Sequence, residues 1–103
     1  MLNRGKSEIG VFIPCYNARD WAERLVLIPG YRYYASDSGS TDGTADILES
    51  KGVVVRRQTD QPGRVENWMR VIRLFLESDC TWLKWLFTGD VLYSEGLKAL
   101  EAA

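Results

Sequence analysis

Short apolar segments of strand length alternate with segments of helical period along this 103-residue chain, and that alternation restricts the fold more than any other property of the sequence. Glu8-Ile9-Gly10-Val11-Phe12-Ile13-Pro14 is nearly continuously apolar and rich in β-branched and aromatic residues, the pattern of a strand buried on both faces. Residues 31–36, 53–57 and 82–87 are further strand candidates. Asn17 is the expected N-cap of a first helix, with Asp20 in its first turn, Trp21, Leu25 and Ile28 on one face, and Pro29-Gly30 as its stop. Residues 45–50 form a second expected helix, with Ser40, Thr41 or Asp42 as its cap. Val65, Trp68, Met69, Ile72, Phe75 and Leu76 recur at helical spacing, with Glu66 and Arg70 on the other face. That stretch predicts the longest helix, and residues 94–102 a short final one. The Trp and Tyr side chains read as core.

Strictly alternating strands and helices require parallel pairing through right-handed crossovers. The predicted fold is therefore α/β: a Rossmann-like, three-layer α/β/α arrangement around a mainly parallel sheet of about four strands. Residues 1–7 read as an N-terminal tail and residues 8–103 as one domain, without internal repeats. In open sheets of this kind ligands bind beyond the carboxyl ends of the strands, which gathers the loops at 14–17, 37–44 and 88–90 onto one rim.

Composition narrows the function. Apolar residues make up 46% of the chain, enough for a real core, while the net charge of −1 with interspersed signs lacks the basic face that nucleic-acid binding depends on. No apolar run approaches the roughly 18–20 residues of a membrane span, so the expected location is cytoplasmic, with membrane association only through regions outside this sequence. Cys15 and Cys80 form no metal-binding or disulfide pattern and read as reduced, mostly buried thiols. Histidine is absent, so any chemistry must run on carboxylates or on a hard cation.

Three places carry candidate chemistry. The stretch Asp37-Ser38-Gly39-Ser40-Thr41-Asp42-Gly43-Thr44 offers a carboxylate that could accept the N–H of a base, glycines for a tight turn, and four hydroxyls; the same residues equally compose a capped turn. Neither a P-loop nor a G-x-G-x-x-G follows a strand, which disfavours a dinucleotide oxidoreductase, and the spacing does not fit an EF-hand. Asp90 is a candidate ligand for Mg²⁺ or Mn²⁺, or simply a turn aspartate. Arg64 and Asn67 head the long helix, where the dipole favours anions; otherwise they are solvated surface.

In this order and spacing, four segments resemble the N-terminal half of family 2 glycosyltransferases, which have the nucleotide-diphospho-sugar transferase (GT-A) fold. They are Val11-Phe12-Ile13-Pro14-Cys15-Tyr16-Asn17, Ser36 through Thr44, Gly63-Arg64-Val65-Glu66-Asn67, and Trp85-Leu86-Phe87-Thr88-Gly89-Asp90 in the D-x-D position. The resemblance implies a nucleotide-diphosphate sugar donor, UDP- or GDP-linked, and an inverting transfer. It implies that Pro14, Tyr16, Asn17, Asp37, Ser38 and Gly39 hold the nucleoside, that Arg64 and Asn67 lie near base and phosphates, and that Asp90 binds Mg²⁺ or Mn²⁺. Thr88 replaces the first carboxylate of D-x-D, which implies a weak or donor-dependent metal site. The family's acceptor half and catalytic base are expected beyond Ala103, so no catalytic residue is assigned and the chain alone is expected to be inactive. An uncovered sheet edge implies self-association as a homodimer. The alternative is a non-catalytic nucleotide-binding or assembly module on a truncated GT-A fold.

Overall fold

In the computed structural model, which describes residues 9–92 and 96–99, the elements run β1 (Ile9–Cys15), α1 (Arg19–Arg24), β2 (Arg32–Asp37), α2 (Thr44–Ser50), β3 (Val54–Arg57), α3 (Arg64–Glu77) and β4 (Trp82–Trp85). The described strands form one sheet in the order β3-β2-β1-β4, and every pairing is parallel. The α/β, three-layer expectation is met. Of the final helix, residues 96–99 are helical and Leu97 is buried; the rest of that prediction, and the tail at 1–7 with Glu8, lie outside the described residues.

Because successive strand residues point to opposite faces, β1 divides the core. Ile9, Val11, Ile13 and Cys15 pack with Ala22 and Leu25 of the α1 region and Leu48 of α2, whereas Phe12 points the other way, to Val71 and Leu74 of α3. Phe12 is fully buried, stacks on Tyr34 with ring centroids 4.7 Å apart and meets Phe75 edge-on at 5.6 Å. Gly10 makes room for that ring: a Cβ there would sit 2.5 Å from Phe12 Cε1 and 2.6 Å from Cys80 Sγ.

The structure corrects three local expectations. The first helix starts after Ala18, not Asn17, and ends at Arg24, before Ile28. Asn17 takes a left-handed φ of 46°, and its amide oxygen accepts from Thr41 N at 2.8 Å across to the next loop. Beyond Arg24 the chain is held open by tertiary bonds: Lys51 Nζ donates to the Glu23 and Leu25 carbonyls, while the Tyr33 hydroxyl both donates to Ile28 O and accepts from Ile28 N at 2.7 Å. At α2 the N-cap is Gly43 with φ 93°, and Asp42 serves from one position earlier by accepting from Thr44 N at 3.0 Å.

The third correction concerns α3. The helix and its Glu66–Arg70 pair form as expected. The side chains facing the sheet, however, are Asn67, Val71 and Leu74, and the stripe of Val65, Trp68, Met69, Ile72 and Leu76 faces outward. The helix is apolar on two faces, and only one is used internally. Trp68, Trp82 and Tyr16 are accordingly not core residues.

Candidate functional site

A cavity of about 650 Å³ lies beyond the carboxyl ends of β1 and β4. After β1 the chain winds through β2 and β3 on one side and then returns to place β4 on the other, so the gap between β1 and β4 is where the strand order reverses. Open α/β sheets form crevices at such switch points. Pro14, Cys15 and Tyr16 leave β1 into one wall, Phe87 and Thr88 follow β4 into another, and Ser38 comes from the loop after β2. Gln61, Pro62, Gly63, Arg64, Asn67 and Trp68 close the remaining side from the approach to α3 and its first turns.

Polar contacts fix that last wall. Asn67 is buried; its Oδ1 accepts from Ser36 Oγ at 2.7 Å and its Nδ2 donates to Ser36 O at 3.1 Å, tying α3 to β2. Ser38 Oγ donates to Pro62 O at 2.6 Å. Gly39, at φ 83°, lets the two loops touch, since a Cβ would lie 2.7 Å from Gln61 Cγ. On the outer side Arg70 grips Asp60 through two nitrogens at 2.8 and 2.9 Å and Gln58 Oε1 at 2.8 Å, anchoring the 58–63 loop to the helix. The Arg70 guanidinium holds the exposed Asp60 carboxyl below the usual carboxylate range. That contribution is present above the ordinary carboxylate pKa and disappears as pH falls through the lowered value.

The candidate residues separate into two groups. Pro14, Tyr16, Ser38, Arg64 and Asn67 line the cavity. Asn17, Asp37, Gly39 and Asp90 do not, and the first two spend their polar atoms on the fold. Asp37 is buried; its carboxylate accepts from Ser40 N at 2.9 Å, Ser40 Oγ at 2.5 Å and Cys15 Sγ at 3.5 Å. Ser40, Asp42 and Thr44 in turn accept the amides of Asn17, Ala18 and Arg19, with Ser40 Oγ on Asn17 N, Thr44 Oγ1 on Ala18 N and Asp42 Oδ2 on Arg19 N. Most of the Asp37–Thr44 stretch therefore works as a staple that caps α1 and ties it to α2, and Ser38 is the member that reaches the cavity. Burial desolvates the Asp42 carboxyl, but bonds from Thr44 and Arg19 outweigh this and hold it low.

Burial first, and then the Asp37 carboxylate, push the Cys15 thiol far above its ordinary value, so it stays protonated and unreactive although it borders the cavity. Asp90 closes a turn: its Oδ2 accepts from Phe87 N at 3.3 Å, its carbonyl accepts from Trp21 Nε1 at 2.9 Å, and Gly89 carries the φ of 99° that the turn requires. Among the described residues no three His, Cys, Asp or Glu side chains converge as a metal site.

Sequence reasoning missed the aromatic wall. Trp68 and Phe87 meet with centroids 5.5 Å apart, and Phe87 stacks on Trp85 at 5.5 Å. Helical spacing placed Trp68 in an apolar stripe but could not say which stripe the sheet covers. The buried Asn67 next to it was the available signal, because a polar side chain ranked with Val71 and Leu74 marks the inward face. No protein-family model matches this chain, and no curated protein matches it. Among the described residues no helix is long and apolar enough to cross a membrane.

Proposed function

We propose that this chain binds the nucleoside diphosphate of an activated sugar in the β1/β4 cavity and contributes the donor site of a family 2-like glycosyltransferase. The carrying observation is the position of the cavity at the switch point of a parallel sheet, with the start of a 14-residue helix in its wall. No side chain caps that helix, and its amides and dipole favour an anion there. Arg64 adds a cation able to pair with phosphate oxygens. Tyr16, 50% exposed on the opposite wall, offers a ring for a base to stack on, with Ser38, Gln61 and Asn67 as polar neighbours. The cavity volume is within the roughly 300–1,000 Å³ of small-molecule sites.

In this reading Asp90 would be the protein's ligand to Mg²⁺ or Mn²⁺, and such a cation would supply Lewis-acid stabilisation of the leaving diphosphate. Transfer would form the acceptor O–C1 bond, break the C1–O bond to the diphosphate and release the acceptor proton to a base that no residue here is assigned to be. Asp90 is not among the lining residues and its carboxylate already accepts from Phe87 N, which favours a second reading, nucleotide binding without transfer.

Calorimetric titration of UDP and GDP, with and without Mn²⁺, tests the proposal. Binding tighter than millimolar is expected for one of them. Arg64→Ala should weaken it roughly tenfold, the loss of one charge-assisted contact. Asp90→Ala should remove only the increment due to Mn²⁺. If neither nucleotide binds below the millimolar range in either condition, the reading fails; binding indifferent to Mn²⁺ and to Asp90→Ala supports the second reading.

A further inference from the structure

Apart from Trp68, the outward stripe of α3 is left unused by the proposed donor site. Val65 (69% exposed), Met69 (53%), Ile72 (40%) and Leu76 (72%) form a continuous apolar band with Trp68, which meets Phe87 beyond β4. From these exposures the band amounts to on the order of 600 Å² per copy, at the upper limit of what monomers leave open, and two such faces together reach the ~1,000 Å² that a specific interface needs.

We infer that this face is a two-fold interface between two copies of the chain, formed by antiparallel packing of α3 on α3. Its charges are what single out a second copy. One flank of the band carries Glu66 near the start of the helix and Arg73 near its end, about one helical turn either side of Arg70. Reversing the helix about a two-fold level with the Met69–Arg70 peptide sets Glu66 opposite Arg73 and brings the middle of the band, Met69 and Ile72, against the same part of the second copy. The same flanks face each other in an antiparallel pair, so the Glu66–Arg73 match occurs twice by symmetry. Arg73 makes no salt bridge within its own chain among the described residues, and Glu66 shares Arg70 with Asp60, at 3.2 Å against 2.8 Å. A lipid surface would call for a uniformly basic flank, whereas here Glu66 and Glu77 accompany Arg73. Dimerisation would cover Trp68, which also lines the cavity, and so stiffen one wall of the site.

Sedimentation velocity on the full chain from 1 to 200 µM, paired with circular dichroism to confirm folding, tests this. A monomer–dimer equilibrium is expected. Ile72→Glu should leave only monomer, and Arg73→Glu should weaken the dimer at least tenfold by setting two acidic groups against each other. The double exchange Glu66→Arg with Arg73→Glu should restore most of the lost affinity. A monomer at every concentration overturns the inference, as does a dimer that all three variants leave unchanged, which would place the contact elsewhere, for instance on the β4 edge. A monomer that partitions onto phosphatidylglycerol vesicles would assign the face to lipid, and open-ended aggregation would remove the two-fold; either result also overturns it.

Discussion

Phe12→Ala is expected to remove about 3–5 kcal/mol of stability, the usual cost of deleting a fully buried phenyl ring, and to bring a domain of this size near the end of its stability range. The reason is the thinness of the layer between the sheet and α3. On that side the described core has Phe12, Val71 and Leu74 at its centre, with Tyr34, Phe75, Cys80, Leu83 and Trp85 only partly buried around them. Phe12 touches Tyr34 face to face and Phe75 edge to face, so its loss leaves both rings without a partner and α3 without its main apolar anchor. The cavity should suffer with the core, because Arg64, Asn67 and Trp68 keep their places only while α3 is seated. Phe12→Leu should cost much less, about 1–1.5 kcal/mol, since it retains most of the volume. Urea denaturation followed by tryptophan fluorescence measures both.

Asp37→Ala is expected to cost about 1–3 kcal/mol, because it strands one buried and two part-buried donors that a carboxylate had satisfied. Ser40 N and Ser40 Oγ lose their partner, and Cys15 Sγ keeps only its longer contact with Ser36 O. Ser40 also holds Asn17 N, so the loss passes on to the start of α1. Nucleotide affinity should fall in parallel, for every base alike, as Ser38 and the loop behind it lose their fixed position. The residue's resemblance-based role makes the opposite forecast: a direct base contact would give loss of binding to one nucleotide with stability intact. Urea denaturation and titration of the same variant, side by side, distinguish the two.

The strands were legible because β1 is a nearly continuous apolar run and β2, β3 and β4 are short aromatic or β-branched segments between turn residues, and strict alternation with helices left parallel pairing as the consistent answer. The long helix was legible for the same reason, but not its orientation. Val71 and Leu74 on one side, and Val65, Trp68, Met69, Ile72 and Leu76 on the other, both satisfy helical spacing, and periodicity does not rank two stripes. Asn17 misled for a different reason. A side chain with the right chemistry for capping stood at the right place, but the caps of α1 come from Ser40, Asp42 and Thr44, more than 20 residues downstream. Such non-local capping has no local signature. Of the candidate site, the residues that end strands or begin α3, Pro14, Tyr16, Arg64 and Asn67, were placed by topology and do line the cavity. Topology sets Asp37 and Asn17 on the same rim and the resemblance gives them the nucleoside, but the fold uses their polar atoms itself.

A ¹H–¹⁵N correlation spectrum of the labelled chain, titrated with UDP and GDP in the presence of Mg²⁺, tests whether the β1/β4 cavity is a nucleotide site. The expected result is a compact set of shifts at the backbone amides of Tyr16, Ser38, Gly63, Arg64 and Thr88 and at the Asn67 side-chain amide, saturating below the millimolar range. Saturable binding that leaves those signals in place, or no shifts at millimolar nucleotide, would contradict it.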